Sequence, residues 1–189
     1  MLLYVFLGCS SLSDLVDQVD PAAQQWCASN RSDVVQEVYD GDTIYLASNA
    51  ESIRLLGVAA PEIGNPEDGS SSECYGDEAT NYLRSIVESE SVALQFDVEC
   101  TDIYNRTLAW VVLQGSDPYI AGEMEAFSVP GLNLEDGTYE LLLNELLIRA
   151  GYAKVFTGDI AKNIRYSDRI EEAEQAAKDI NAGLWSACP

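Results

Sequence analysis

The stretch Val34-Val35-Gln36-Glu37-Val38-Tyr39-Asp40-Gly41-Asp42-Thr43-Ile44-Tyr45-Leu46 decides the fold. Val34, Val35, Val38 and Tyr39 read as a first strand. Asp40-Gly41 is a strong hairpin signal, because tight two-residue turns need backbone conformations that Asp and Gly tolerate. Thr43 to Leu46 reads as the returning strand. A second turn at Asn49-Ala50-Glu51 leads into a dense apolar strand from Ile53 to Val58, which Pro61 ends.

Outward from this meander, Gly64 to Ser72 is rich in turn-forming residues and reads as a loop. Gly76 to Val87 reads as a helix with Ala79, Leu83, Ile86 and Val87 on one face. Val92, Leu94 and Phe96 alternate with Ala93, Gln95 and Asp97, as a half-buried strand does. Thr107 to Leu113 is a further strand. Gln114 to Gly137, with Pro118 and Pro130, reads as an inserted excursion carrying a short hairpin. Tyr139 to Ala150 reads as an apolar helix stopped by Gly151. Tyr152 to Phe156 suits a short strand, and Ser167-Asp168 caps a last helix reaching Asn181. The order β-β-β-α-β-β-α-(β)-α fits an α+β domain, mainly β: a five-stranded barrel of the oligonucleotide-binding (OB) class with about three packed helices.

In front of this domain, residues 10–25 read as an acidic tether, and residues 26–189 as the domain with its insertion around 114–137. Met1 to Gly8 is an apolar run leading into Cys9, resembling a bacterial lipoprotein signal whose Cys is lipidated after cleavage. The run is too short to span a bilayer and no basic residue precedes it. The expectation is a secreted or cell-envelope protein, attached to a membrane through Cys9 if lipidated, and a monomer; no protein partner can be inferred. The remaining cysteines, Cys27, Cys74, Cys100 and Cys188, permit three pairings. Joining Cys27 to Cys188 would tie the domain's ends together and leave Cys74 for Cys100; four buried free thiols are the alternative.

Charge narrows the chemistry. The 189 residues carry 32 acids, 10 Lys and Arg, and no His, a formal charge of −22. Without His, a Ser-His-Asp triad and a His-ligated zinc are both excluded, and no C-x-x-C spacing suggests a zinc or thioredoxin-like site. Such a surface repels polyanions at long range. It reads either as a solvated acidic face or as a sign that a bound cation helps to hold a phosphate substrate.

Three segments concentrate the interest. Asp40-Gly41-Asp42-Thr43 is either a tight turn or a hard-cation site, since Ca²⁺ takes carboxylate and carbonyl oxygens. Arg54, inside an apolar strand, needs a partner because an unpaired buried guanidinium is costly; a structural salt bridge would also explain it. Glu62, just past that strand, is a general base or a surface acid. Asn105 suits a backbone position with φ > 0 that would aim Arg106, although an ordinary loop with a surface Arg gives the same pattern.

These segments are collinear with a known family. Asp40-Gly41-Asp42-Thr43, Arg54-Leu55-Leu56-Gly57-Val58 with Pro61-Glu62, Tyr75-Gly76 with Glu78-Ala79, Asp102 with Tyr104 and Arg106-Thr107-Leu108-Ala109, Asn144-Glu145-Leu146-Leu147, Gly151-Tyr152-Ala153 and Gly183-Leu184-Trp185 together resemble the staphylococcal nuclease (thermonuclease) family from about Val34 to Cys188. The resemblance implies an OB barrel with helices and Ca²⁺-dependent cleavage of DNA or RNA phosphodiesters. It implies Asp42 as a metal carboxylate and the Ala60 carbonyl as another ligand. It implies Arg54 and Arg106 as the phosphate-holding pair, Glu62 as the base that activates water, and Tyr104 beside the nucleotide phosphate.

The chain departs from this pattern at Ala59, where the family carries its second metal carboxylate; Asp40 is close enough in sequence to compensate in part. Ile103 stands where a basic residue is common, and Thr157 and Asp159 where aromatic contacts to a base are expected. The function expected is therefore a weak or salt-adapted secreted nuclease. The alternative is a catalytically impaired OB module that binds a protein, a glycan or a nucleic acid, with Tyr119, Phe127 and Leu132 of the insertion as its contact surface.

Overall fold

The computed structural model describes residues 26–65, 69–158 and 164–189. Strand β1 (Arg31–Asp40) turns at Gly41-Asp42 into β2 (Thr43–Leu46), which turns again into β3 (Ser52–Leu55), all antiparallel. Two register shifts in the β1–β2 ladder bulge β1. They explain why Val35 and Val38 are both buried although three apart, while Val34 and Tyr39 are exposed. Helix α1 (Gly76–Val87) follows, then β5 (Ser91–Gln95) and β6 (Thr107–Gly115). β5 pairs antiparallel with β1 and with β6, and β3 closes the ring by pairing in parallel with β6. The closed five-stranded barrel has the strand neighbours of an OB fold.

Its interior holds Ile44, Ile53, Leu55, Leu83, Leu94, Leu108 and Trp110, all 1% exposed or less. Trp110 is satisfied by its Nε1 donating to buried Asp97 at 2.9 Å. Buried Asn144 accepts from the Val111 N–H at 2.9 Å and donates to the Leu56 carbonyl at 2.9 Å. It thereby ties helix α3 (Leu143–Arg149) to both strands that meet at the barrel seam.

Several elements differ from the sequence reading. The apolar run from Ile53 to Val58 is not one strand. Gly57, at φ 74°, turns the chain between β3 and a two-residue β4 (Val58–Ala59), which pairs with β8 (Lys154–Val155). The excursion contains helix α2 (Pro118–Ala126), opened by the Asp117 carboxylate accepting from the Tyr119 and Ile120 N–H groups, with Pro118 in the first turn. Tyr139 to Ala150 splits into β7 (Tyr139–Leu142) and α3. β3 covers only the first part of one β6 edge, and β7 covers residues 112–115 of that same edge, so the apolar run starts as a strand. Helix α4 (Ser167–Asp179), expected to be the last, is capped at Tyr166 without a side-chain bond, and a short α5 (Leu184–Ala187) follows it.

The expected cysteine pairing is also corrected: the bridges are Cys27–Cys100 and Cys74–Cys188. Cys27 donates its N–H to the Asp97 carbonyl, which lays the entering chain beside the segment leading to Cys100. The segment carrying Cys188 instead packs against Cys74, whose Sγ lies 3.7 Å from the Ala187 carbonyl oxygen. Among the described residues no helix is long and apolar enough to cross a membrane. The signal segment, the tether and Cys9 lie outside the described residues.

Asn144→Ala would orphan a buried N–H and a buried carbonyl at once, so it should destabilise the protein by about 3 kcal/mol. Urea unfolding with an unchanged denaturant slope checks this; a loss below about 1 kcal/mol would show that the seam does not depend on Asn144.

Candidate active site

The site is assembled at the β1–β2 turn. A Cβ on Gly41 would lie 2.6 Å from the Ala60 Cβ and 2.9 Å from the Ala79 Cβ, so only glycine lets the turn press against the end of β4 and against α1. That approach brings Asp42, 3% exposed, onto the backbone of Ala60, whose N–H donates to Asp42 Oδ2 at 2.9 Å. Thr43 Oγ1 donates to Asp42 Oδ1 at 3.1 Å, and the Asp42 N–H donates to Asp40 Oδ1 at 3.0 Å.

Arg54 faces Thr43 across the β2–β3 ladder and Leu108 across the β3–β6 seam, so the strand pairing itself delivers its guanidinium to this turn. Its Nη1 forms an ion pair with Asp42, buried and without an aligned hydrogen bond. Burial first, then the Arg106 charge, push Arg54 down to about 10, against the pull of Asp40, Glu62 and Asp102; it stays charged at neutral pH. Burial raises the Asp40 carboxyl, opposed by a bond from Thr43 and by the charges of Arg54 and Arg106. Arg54 and Asp40 thus share one electrostatic neighbourhood with Arg106, and Glu62 acts on Arg54 within it.

Arg106 is aimed by a turn that only partly showed in the sequence. Asn105 has φ 63°, the left-handed conformation its side chain tolerates. Asp102 is the organiser. One carboxylate oxygen accepts from the Tyr104 and Arg106 N–H groups, both at 2.9 Å, and the other accepts from Arg106 Nε at 2.7 Å. Burial works against that charge, but the Arg106 bonds outweigh it and hold the carboxyl below its usual range. The Arg106 guanidinium lies 5.5 Å from the centroid of the Tyr104 ring. Tyr104 and Ile103 are exposed.

Arg54, Tyr104 and Arg106 line one open cleft of about 460 Å³, walled by Leu55, Val58 and Phe156 among others. That volume suits a small organic ligand or one nucleotide. Phe156 was missed in the sequence: Thr157 is exposed and Asp159 lies outside the described residues, and the aromatic wall comes from one residue earlier. Glu62, like Asp40 and Asp42, is outside the lining of this cleft; its side chain is exposed, and its charge acts on Arg54.

The donors present fall short of a calcium site. Ca²⁺ takes about six to eight oxygens, with carboxylates providing most of the affinity. Here Asp42 is engaged by Arg54, Thr43 and the Ala60 N–H, Asp40 is held by the turn, and Ala59, the residue before Ala60, carries only a methyl group. Among the described residues no three acids, cysteines or histidines converge as a metal site.

The family described as "Staphylococcal nuclease homologue" matches residues 52–187. The chain is 29% identical over 161 residues to the thermonuclease of Staphylococcus hyicus, covering 84% of this chain and 78% of that protein. It is 30% identical over 154 residues to the thermonuclease of Staphylococcus intermedius, covering 80% and 74%. It is 29% identical to the SPbeta prophage-derived endonuclease YokF of Bacillus subtilis (strain 168), covering 78% of this chain and 41% of that protein.

Ala59→Asp adds the absent carboxylate beside Asp42. Calorimetry should show Ca²⁺ binding tightened by about tenfold or more, since affinity follows ligand charge. Identical affinity before and after the change would remove the argument from ligand count.

Proposed function

Since this chain belongs to the staphylococcal nuclease homologue family, we propose that it is a nuclease that hydrolyses the phosphodiester bonds of DNA or RNA, acting as a monomer outside the cytoplasm. The observation that carries this reading is the pair of arginines, one half-buried at the barrel seam and one aimed by Asp102, lining a single cleft, with the Glu62 charge acting on Arg54. Attack of water on phosphorus accumulates negative charge on the non-bridging oxygens. Two planar guanidinium groups suit that charge better than lysines, because each presents a fork to two oxygens. Their effect is greatest on the transition state, where the charge is largest. Glu62 takes the proton of the attacking water as the oxygen–phosphorus bond forms and the bond to the leaving oxygen breaks. Tyr104 and Phe156 flank the adjoining nucleotide.

The finer properties follow from the same residues. Family resemblance carries a Ca²⁺ requirement. With Ala59 in place of a ligand, this chain demands a high Ca²⁺ concentration and its activity is weak. The charge of −22 lowers substrate affinity further, and salt offsets that at the cost of the arginine contacts. Two disulfides favour an oxidising compartment. A module without catalysis would share the fold and the arginines but not a dependence on Glu62.

Cleavage of single- and double-stranded DNA and of RNA, followed with Ca²⁺ from micromolar upward, tests the proposal. Activity should emerge only at abundant Ca²⁺, and Glu62→Gln and Arg106→Ala should each lower kcat by about a hundredfold or more. Arg106 is preferred to Arg54 for this purpose because Arg54 also neutralises buried Asp42. Undiminished cleavage in both variants would show the catalytic assignment to be wrong.

A further inference from the structure

Glu62 has an exposed side chain, and among the described residues no hydrogen bond or ion pair holds its carboxylate. Its place is therefore set through its backbone, and that backbone is gripped from both sides by one residue. The Glu62 N–H donates to Glu73 Oε2 at 3.1 Å, and the Glu73 N–H donates to the Glu62 carbonyl at 2.9 Å. A carboxylate acceptor makes the first of these a charge-assisted bond, stronger than one between neutral groups. Glu73 is anchored in turn. Its carbonyl accepts from the Gly76 N–H at 3.0 Å, the first residue of α1. The next residue, Cys74, is bridged to Cys188 with the Cα atoms 5.8 Å apart and 114 residues between them in sequence. Nearer the loop's turn, Ser72 Oγ accepts from the Gly64 N–H at 3.0 Å and donates to Asp77 at 2.9 Å. The two ends of the segment from Pro61 to Gly76 are thus laced together at the position of Glu62 and fixed to the C-terminus.

We propose that Glu73 is a positioning residue for Glu62, kept in place by the Cys74–Cys188 bridge. This rests on Glu62 being the base. Proton transfer from an attacking water needs the carboxylate at hydrogen-bond distance from that water, and a displacement of about 1 Å is enough to cost on the order of a hundredfold in rate. Loss of the clasp frees the Glu62 backbone while leaving Arg54, Arg106 and the cleft in place, so substrate binding is retained and turnover falls.

The experiment uses the full chain and two readouts, amide hydrogen exchange at Glu62 and steady-state cleavage. In Glu73→Ala, exchange at the Glu62 amide should quicken by about tenfold or more as the clasp opens locally. kcat should fall by about tenfold to a hundredfold with KM within about twofold. Glu73→Gln keeps an acceptor oxygen and should restore exchange protection and most of kcat. The double variant Cys74→Ser, Cys188→Ser should shift both readouts in the same direction as Glu73→Ala, by less. Unchanged exchange at Glu62 in Glu73→Ala, failure of Glu73→Gln to restore kcat, or a loss confined to KM would overturn the proposal. Quickened exchange with cleavage unaltered in both Glu73→Ala and Glu62→Gln would instead overturn the reading of Glu62 as base, and with it the catalytic part of the clasp.

Discussion

A guanidinium built into the wall of a small barrel has to be met by negative charge, and the meeting of Arg54 with Asp42 is the constraint on which the rest of this site depends. β3 cannot pair with both β2 and β6 without carrying Arg54 to the seam, and the β1–β2 turn cannot reach it without a glycine at 41. Asp42 is buried by that approach and pinned by the Ala60 N–H, so the turn, the end of β4 and the barrel seam become one unit. Arg106 and Glu62 enter from loops at the edges of that unit. Their own positions are fixed by carboxylates, Asp102 for the arginine and Glu73 for the acid.

The same arrangement explains a site rich in acids that is poor in cation ligands. Each carboxylate in it but that of Glu62 has a protein partner among the described residues. Asp42 is shared between a guanidinium, a hydroxyl and an amide, Asp40 braces the turn, Asp102 braces Arg106 and Glu73 braces the loop of Glu62. Negative charge has been used as mortar rather than left as a cage of free oxygens. A methyl group at position 59 fits this pattern, because a further carboxylate there would add repulsion to a neighbourhood where burial already raises Asp40.

Much of the barrel was legible in the sequence because it is written in local rules. Asp40-Gly41 marks the hairpin, the periodicity of Ala79, Leu83 and Ile86 marks α1, and the alternation through Val92, Leu94 and Phe96 marks β5. The elements misread are those decided by tertiary contact. Tyr139 to Leu142 is as apolar as the helix it precedes, and becomes a strand only because β6 has an uncovered edge there. The run from Ile53 to Val58 breaks where Gly57 adopts a positive φ. The cysteine pairing depends on where each chain end is laid down, which spacing along the chain does not encode. In the site, Arg54, Glu62 and Arg106 stood out as motifs. Their holders did not: Asp102 lay inside a motif without a role, and Glu73 and Phe156 carry no local signature. What they do is visible only once segments far apart in sequence are side by side.

The most direct test of convergence in this cleft is a double-mutant cycle on cleavage, with Arg54→Lys, Arg106→Lys and the pair combined, read as kcat/KM. If both guanidinium groups grip the same phosphodiester, the effects will be non-additive, with a coupling of about 1 kcal/mol or more. Effects that add to within about 0.5 kcal/mol would contradict a shared phosphate, leaving two arginines that act separately in one barrel.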